Sequence, residues 1–258
     1  MITLTTDFGA SSPYVAAMKG VILSINPEVR VIDISHSVPP QQVAVGSMVL
    51  DEVTRLFPPA TIHVAVVDPG VGTSRPIVYV EIAGRRYICP DNGLLDRLAE
   101  RESPSKIVHV TSDRFFRSPV APTFHGRDIM APVAAQLSLG LDPDELGPRL
   151  THLRRLDWPG AEKMANRIEG EVVSVDSFGN LITNISQEML AGVPTDDAVA
   201  IRCDEHETRS IFATYAEQPP MTLVAVIGSN DQLELAIVDD SATIMLGVGV
   251  GAPVEVCW

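Results

Sequence analysis

The chain has 258 residues, 45% hydrophobic and 20% charged, which supplies apolar surface for one large domain or two modest ones and argues against disorder. A net charge of −14 without clustered Lys and Arg argues against a nucleic-acid partner, and no window reaches the ~18 apolar residues of a membrane span. Cys89, Cys203 and Cys257 are odd in number, widely spaced and match no zinc or redox spacing, so they are expected to be core thiols. The opening MITLTTDFG lacks a basic region followed by a long apolar stretch, and a cytoplasmic protein is expected.

Ile2 to Thr5 read as a first strand, ending in the polar turn of Thr6, Asp7, Phe8 and Gly9. Ser12 and Pro13 supply an N-cap and a first-turn proline for a helix to about Ile25, with Val15, Met18, Val21, Ile22 and Ile25 on one face. Val29 to Ile34 form a second strand, and Pro40 is expected to open a helix stopped by Pro58 and Pro59. The third strand is an apolar run, Ile62 with Val64 to Val67, of the kind a parallel sheet buries on both faces. It leads into Asp68, Pro69, Gly70, Val71 and Gly72, at the carboxyl end of a strand, where open α/β sheets bind ligands.

Ile77 to Ile82 and Arg86 to Cys89 read as a hairpin, followed by a short helix from Leu94 to about Glu100, a strand over Ile107 to Val110 and a helix from about Ile129 to Leu139. From Leu141 to Asn166, including Trp158, Pro159 and Gly160, the composition reads as a linker. Beyond it, Ile168 to Val175, Leu181 to Ile185, Ala198 to Arg202, Thr208 to Thr214, Thr222 to Ile227, Leu233 to Val238 and Pro253 to Cys257 are short strands without long helices between them. The expected fold is an α/β N-terminal domain, 1–160, with a central mostly parallel sheet flanked by helices, and a smaller all-β C-terminal barrel, 161–258.

Four polar turns could carry chemistry: Asp7 with Phe8 and Gly9; Asp68 to Arg75; PTFHGRD from Pro122 to Asp128; and DSFGNLITN from Asp176 to Asn184. Taken singly, each has a structural reading, because a turn Asp caps its own backbone and Ser229 and Asn230 after Gly228 suit a hairpin. His36, His63, His109, His152 and His206 show no metal-ligand pairing.

Together, TTDFG at the start, DISH at 33 to 36, VVDPGVGTSR at 66 to 75, PDNG at 90 to 93, TFHGRD at 123 to 128, DSFGNLITN at 176 to 184 and GSN at 228 to 230 resemble the S-adenosylmethionine hydrolase (S-adenosylmethionine hydroxide adenosyltransferase) family. That family is related to the fluorinating and chlorinating enzymes. The resemblance implies hydrolysis of S-adenosylmethionine to adenosine and methionine by a homotrimer. Its active sites would lie between the N-terminal domain of one subunit and the C-terminal domain of the next, with no metal or redox cofactor.

By motif position the resemblance assigns catalysis to Asp68, Arg75 and His125. Asp7 would bind the ribose hydroxyls, with Phe8, Thr123, Phe124 and Gly126 also lining the substrate site. Asp176 would face the methionine ammonium, Phe178 stack near the adenine, Asn180 read it, and Ser229 meet the methionine carboxylate. Asn230 stands where the halogenating relatives have arginine, and those relatives place tyrosine at the positions of Asp68 and His125. Water is therefore the expected nucleophile. The alternatives are a halogenase, a non-catalytic adenosine- or S-adenosylmethionine-binding module and, more remotely, a metal-dependent phosphohydrolase.

Overall fold

The computed structural model describes residues 1–158 and 160–258, which divide into two compact units, Met1–Leu156 and Asp157–Trp258. In the first unit the elements are β1 (Ile2–Thr6), α1 (Pro13–Ile25), β2 (Val31–Ser35), α2 (Val43–Thr54), β3 (Ile62–Val66), β4 (Ile77–Ile82), β5 (Arg85–Pro90), α3 (Asp96–Arg101), β6 (Lys106–His109) and α4 (Ala131–Ser138). They build a mixed six-stranded sheet in the order β2-β1-β3-β5-β4-β6. β1 pairs parallel with β2 and β3, β3 pairs parallel with β5, and β4 runs antiparallel to both β5 and β6.

Strand β3 is buried along its whole length, so the pleat sends alternate side chains into two different cores. Val64 and Val66 join Ile2 and Leu4 of β1, Met18 and Ile22 of α1, and Ala131, Ala134 and Ala135 of α4. Ala65 and Val67 instead join Val78 and Val80 of β4, Leu50 of α2, and Leu98 of α3. The helix expected from Ser12 and Pro13 forms, with the Ser12 hydroxyl accepting from the Tyr14 N–H.

The helix expected to open at Pro40 starts instead at Val43, because Gln41 takes a left-handed conformation (φ 65°) that cannot belong to a helical turn. The hairpin of β4 and β5 turns through Ala83 and Gly84, both with positive φ, as its twist requires. The linker reading fails for the segment after α4. His109 N–H donates to the Pro148 carbonyl, Leu150 N–H to Ile107 and Thr111 N–H to Leu146, so this stretch satisfies the backbone edge that β6 would otherwise leave open. Pro159 lies outside the described residues.

The second unit contains β7 (Glu162–Lys163), β8 (Arg167–Val175), β9 (Leu181–Ser186), β10 (Ala200–Cys203), β11 (His206–Arg209), β12 (Ile211–Phe212), β13 (Leu223–Ile227), β14 (Gln232–Ile237), α5 (Ala242–Leu246) and β15 (Pro253–Cys257). Among the described residues they form a nine-stranded sheet along the path β11-β10-β15-β8-β9-β14-β13-β12, with β7 beside β8. The sheet curls until its ends meet, where the Thr208 hydroxyl of β11 donates to the Leu223 carbonyl of β13, giving a nearly closed barrel. Ile168, Ile185, Ile201, Leu233, Val254 and Val256 fill its interior. The strand expected over Thr208 to Thr214 is broken in two at Ser210 (φ 70°), and α5, capped by the Ser241 hydroxyl, was not expected. Among the described residues no helix is long and apolar enough to cross a membrane.

Candidate active site

Asp68 stands two residues beyond β3, and the turn after it folds back on itself. Val71 N–H donates to the Asp68 carbonyl, and Thr73 returns both its N–H and its hydroxyl to Gly70. This curl brings Arg75 back over the strand end. Its Nε lies 2.8 Å from Asp68 Oδ1 and 3.0 Å from Oδ2, and its Nη2 also donates to Oδ2. The side chains of Asp68 and Arg75 are only 4% and 8% exposed, so their attraction is weakly screened.

Gly72 (φ 80°) is where this turn meets the next one: a Cβ there would lie 2.7 Å from the Pro122 carbonyl oxygen. Behind Pro122 the chain enters a π-helical turn, Gly126–Met130, just ahead of α4. Gly126 packs on Val66 of β3 and Met18 of α1, which seats His125 at the end of β3. Buried Asp128 anchors the segment, accepting from Arg127, Arg117 and the Ala121 N–H, contacts that outweigh its burial and pull its pKa down to about 2.

Arg75 Nη2 lies 3.0 Å from His125 Nδ1, which completes an acid–guanidinium–imidazole chain. A guanidinium can only donate, so Nδ1 carries the lone pair and the ring proton resides on Nε2. Burial first, and then the charge of Arg75, lower the His125 pKa, with Asp68 and Asp128 opposing, so the imidazole is neutral at pH 7.

Asp7 follows β1 as Asp68 follows β3, and these strands are parallel neighbours in register from Ile2 with Ile62 to Thr6 with Val66. One Asp7 oxygen, Oδ2, accepts from the Gln41 N–H at 2.8 Å. Phe8 and Phe124 meet edge-to-face with centroids 5.8 Å apart, and Tyr14 packs on both at 5.7 and 5.2 Å. Arg127 covers the Phe124 ring at 4.7 Å. The structure thus brings together Asp7, Phe8, Asp68, Arg75, Phe124, His125 and Gly126 at one end of the first sheet, with Thr123 exposed in the same turn. Tyr14 was missed as a neighbour of the site, because its i, i+4 spacing from Met18 puts it on the apolar side of α1, where an aromatic reads as one more core position.

In the second unit the Asp176 carboxylate organises its own turn, accepting from the N–H groups of Phe178 and Asn180 and from the Asn180 side-chain amide. Asn180 is buried, whereas Phe178 is 78% exposed at the tip. Ser229 and Asn230 occupy the turn between β13 and β14, and the Asn230 Oδ1 is buried without a hydrogen-bond donor. The two turns lie at opposite ends of the β9–β14 pair, since Leu235 faces Leu181 beside the first and Gln232 faces Ser186 beside the second. Between them the Tyr215 hydroxyl donates to Glu234 Oε2 at 3.1 Å, and the Glu234 carboxylate lies where a Cβ on Gly228 would stand, so a side chain there would displace it. Burial and then Glu234 push the Tyr215 pKa up to about 12. Neither Tyr215 nor Glu234 stood out in sequence. Among the described residues no three His, Cys, Asp or Glu side chains are placed to hold a metal ion.

Two domain models match the chain: the SAM hydroxide adenosyltransferase N-terminal domain over residues 2–147 and the corresponding C-terminal domain over 170–255. An (R)-S-adenosyl-L-methionine hydrolase of Salinispora tropica is 36% identical over 253 residues, covering 97% of this chain and 95% of that protein. The crystal structure of an uncharacterized conserved protein from Thermotoga maritima matches with a TM-score of 0.94 at 36% identity, covering 100% of both chains. A fluorinase of Nocardia brasiliensis is more distant, 29% identical over 212 residues that cover 72% of this chain and 71% of that one.

Proposed function

The chain belongs to the SAM hydroxide adenosyltransferase family, and we propose that it is an enzyme that hydrolyses S-adenosyl-L-methionine to adenosine and L-methionine by attack of water at ribose C5′. The new bond joins the water oxygen to C5′, the C5′–sulfur bond breaks with its electron pair going to sulfur, and methionine departs as a neutral thioether. No acid is needed for the leaving group. The demand falls on the nucleophile, because water has a pKa of about 15.7 in bulk and must be oriented and relieved of a proton.

The observation that carries the reading is the chain from Asp68 through Arg75 to His125. Arg75 occupies Nδ1, so His125 offers Nε2–H as a donor that orients the water through an oxygen lone pair. Asp68, acceptor only, takes the proton. The Arg75 charge favours the hydroxide that develops, in a site where its geometry is already set. Tyrosines at the positions of Asp68 and His125, as implied for halogenating relatives, would replace the carboxylate with a phenol that is protonated at neutral pH and a poor base for water, which is why water is preferred over halide.

Asp7 Oδ1 would accept from the ribose hydroxyls while Oδ2 stays with Gln41. Asp176 has lone-pair capacity left for the methionine ammonium, Phe178 would stack near the adenine, Asn180 read it and Ser229 meet the carboxylate, with neutral Asn230 adding no charge. Phe8, Thr123, Phe124 and Gly126 would line the same pocket. These residues fall on the two units, the first built on a parallel-dominated sheet flanked by helices. We place the active site between the first unit of one subunit and the second unit of the next in a homotrimer. Exposed Phe178, Ile244 and Met245, adjacent through the Thr243 N–H to Gly179 carbonyl bond, supply apolar surface for a neighbouring copy to cover. The buried thiols Cys89 and Cys203 suit a cytoplasmic setting.

Incubating the purified chain with S-adenosylmethionine and resolving products by mass tests the proposal. Adenosine and methionine in equal amounts are expected, undiminished by chelator. Absence of adenosine, or S-adenosylhomocysteine in its place, refutes it.

A further inference from the structure

The DISH segment, Asp33 to His36, is without a role in the reaction as described, yet it sits against the turn that carries Asp7. The parallel register of β1 and β2 shifts between Leu4, which faces Asp33, and Thr5, which faces Ser35. That shift sets His36 beside Thr6, the last residue of β1. Thr6 is fully buried, its Oγ1 lies 3.0 Å from His36 Nδ1, and the same oxygen accepts from the Phe8 N–H at 3.2 Å. The His36 carbonyl accepts from the Gly9 N–H at 2.8 Å. On its other side, His36 Nε2 lies 3.0 Å from Asp33 Oδ1, off the line of a well-formed hydrogen bond, while Lys19 Nζ reaches Asp33 Oδ2 at 2.5 Å.

These contacts have a direction. Asp33 accepts only, so a neutral imidazole turned toward it keeps its proton on Nε2, and Nδ1 offers a lone pair. The Thr6 hydroxyl then donates to Nδ1, which leaves its own lone pair aimed at the Phe8 N–H. Burial alone would raise the Asp33 carboxyl, yet its contacts with Lys19 and then His36 hold it below its ordinary range, so the acceptor at the head of the relay stays ionised. Removing the imidazole would free the Thr6 hydroxyl to rotate and leave it buried without its acceptor.

We infer that His36 is a positioning residue: through Thr6 and its own carbonyl it fixes Phe8 and Gly9, and so the direction in which Asp7 presents its carboxylate. The inference rests on Asp7 as the acid that binds the ribose hydroxyls, and its test separates the two claims. A merely structural histidine would weaken every ligand alike, whereas one acting through Asp7 affects only ligands with ribose hydroxyls.

The experiment measures calorimetric affinity of the full chain for adenosine and for 2′,3′-dideoxyadenosine. Asp7→Ala should abolish the preference for adenosine; if it does not, the ribose assignment falls whatever His36 does. His36→Leu should weaken adenosine by roughly tenfold and the dideoxy compound by less than about twofold. His36→Asn, whose amide can take the place of Nδ1 as acceptor for Thr6, should recover most of the loss. Thr6→Val, isosteric but unable to relay, should reproduce His36→Leu and serves in its place if that variant does not fold. With Asp7→Ala behaving as expected, an unchanged preference in His36→Leu or Thr6→Val, or an equal loss for both nucleosides, overturns the inference.

Discussion

Replacing Asp68 with asparagine removes the charge of the proposed proton acceptor while keeping its volume and one acceptor oxygen for Arg75. General-base catalysis contributes 10²–10⁴-fold, so turnover should fall by about 2.7–5.5 kcal/mol in activation free energy. Ligand affinity should change by less than about tenfold, or 1.4 kcal/mol, because in the proposed reaction the acid acts on the water and not on the nucleoside. The structure also sets a stability cost. Arg75 is 8% exposed and gives three contacts to Asp68, and breaking a buried pair from one side costs about 3–5 kcal/mol. Asparagine should stay below that range by retaining one bond, whereas Asp68→Ala should reach it. The assay pairs kcat, from product formation well below each variant's Tm, with calorimetric affinity for adenosine. A loss of turnover under tenfold in folded Asp68→Asn, or a matching loss of affinity, would refute the assigned role.

Three further outcomes follow from the same geometry. Because the His125 pKa is lowered, kcat/KM should hold across neutral pH and fall only as pH drops through that lowered value, where a protonated ring faces Arg75 with a donor on each side. The same shift makes His125 contribute stability that is full above its unfolded pKa of about 6.5 and declines as pH falls from there; activity that rises on acidification contradicts this. Gly72→Ala puts a Cβ 2.7 Å from the Pro122 carbonyl at positive φ, so thermal unfolding should show about 1–3 kcal/mol of lost stability together with reduced turnover; wild-type behaviour would show that the two turns need no close approach. Phe178→Ala should weaken adenosine binding by about 0.5–1.5 kcal/mol beyond area effects while leaving the monomer's thermal stability unchanged, since the ring is 78% exposed; unaltered affinity removes Phe178 from the site.

Much of the architecture was legible in linear order because its causes are local. Ser12 and Pro13 announce a helix by capping chemistry, two apolar runs a few residues apart, Ile77 to Ile82 and Arg86 to Cys89, a hairpin, and the apolar run of β3 a strand buried on both faces. Errors arose where a distant partner overrode local preference. The stretch after α4 has the composition of a linker, but its backbone pairs with β6, and an open edge leaves no mark on the residues that will cover it. Pro40 resembles a helix start, yet Gln41 turns left-handed and gives its N–H to Asp7.

The site divides in the same way. Asp68, Arg75 and His125 are singled out in the sequence by the resemblance of their motifs to those of the family; taken singly, a turn Asp and a loop histidine read as structural. What each does relative to the others is tertiary. Arg75 returns to Asp68 because the turn between them curls, and it reaches His125, 50 residues further along the chain, because Gly72 lets that turn touch Pro122. Only that contact places an obligate donor on Nδ1, and so decides which imidazole nitrogen carries the proton. Residue types set which protons can move; the packing of two turns on neighbouring elements sets which way they point.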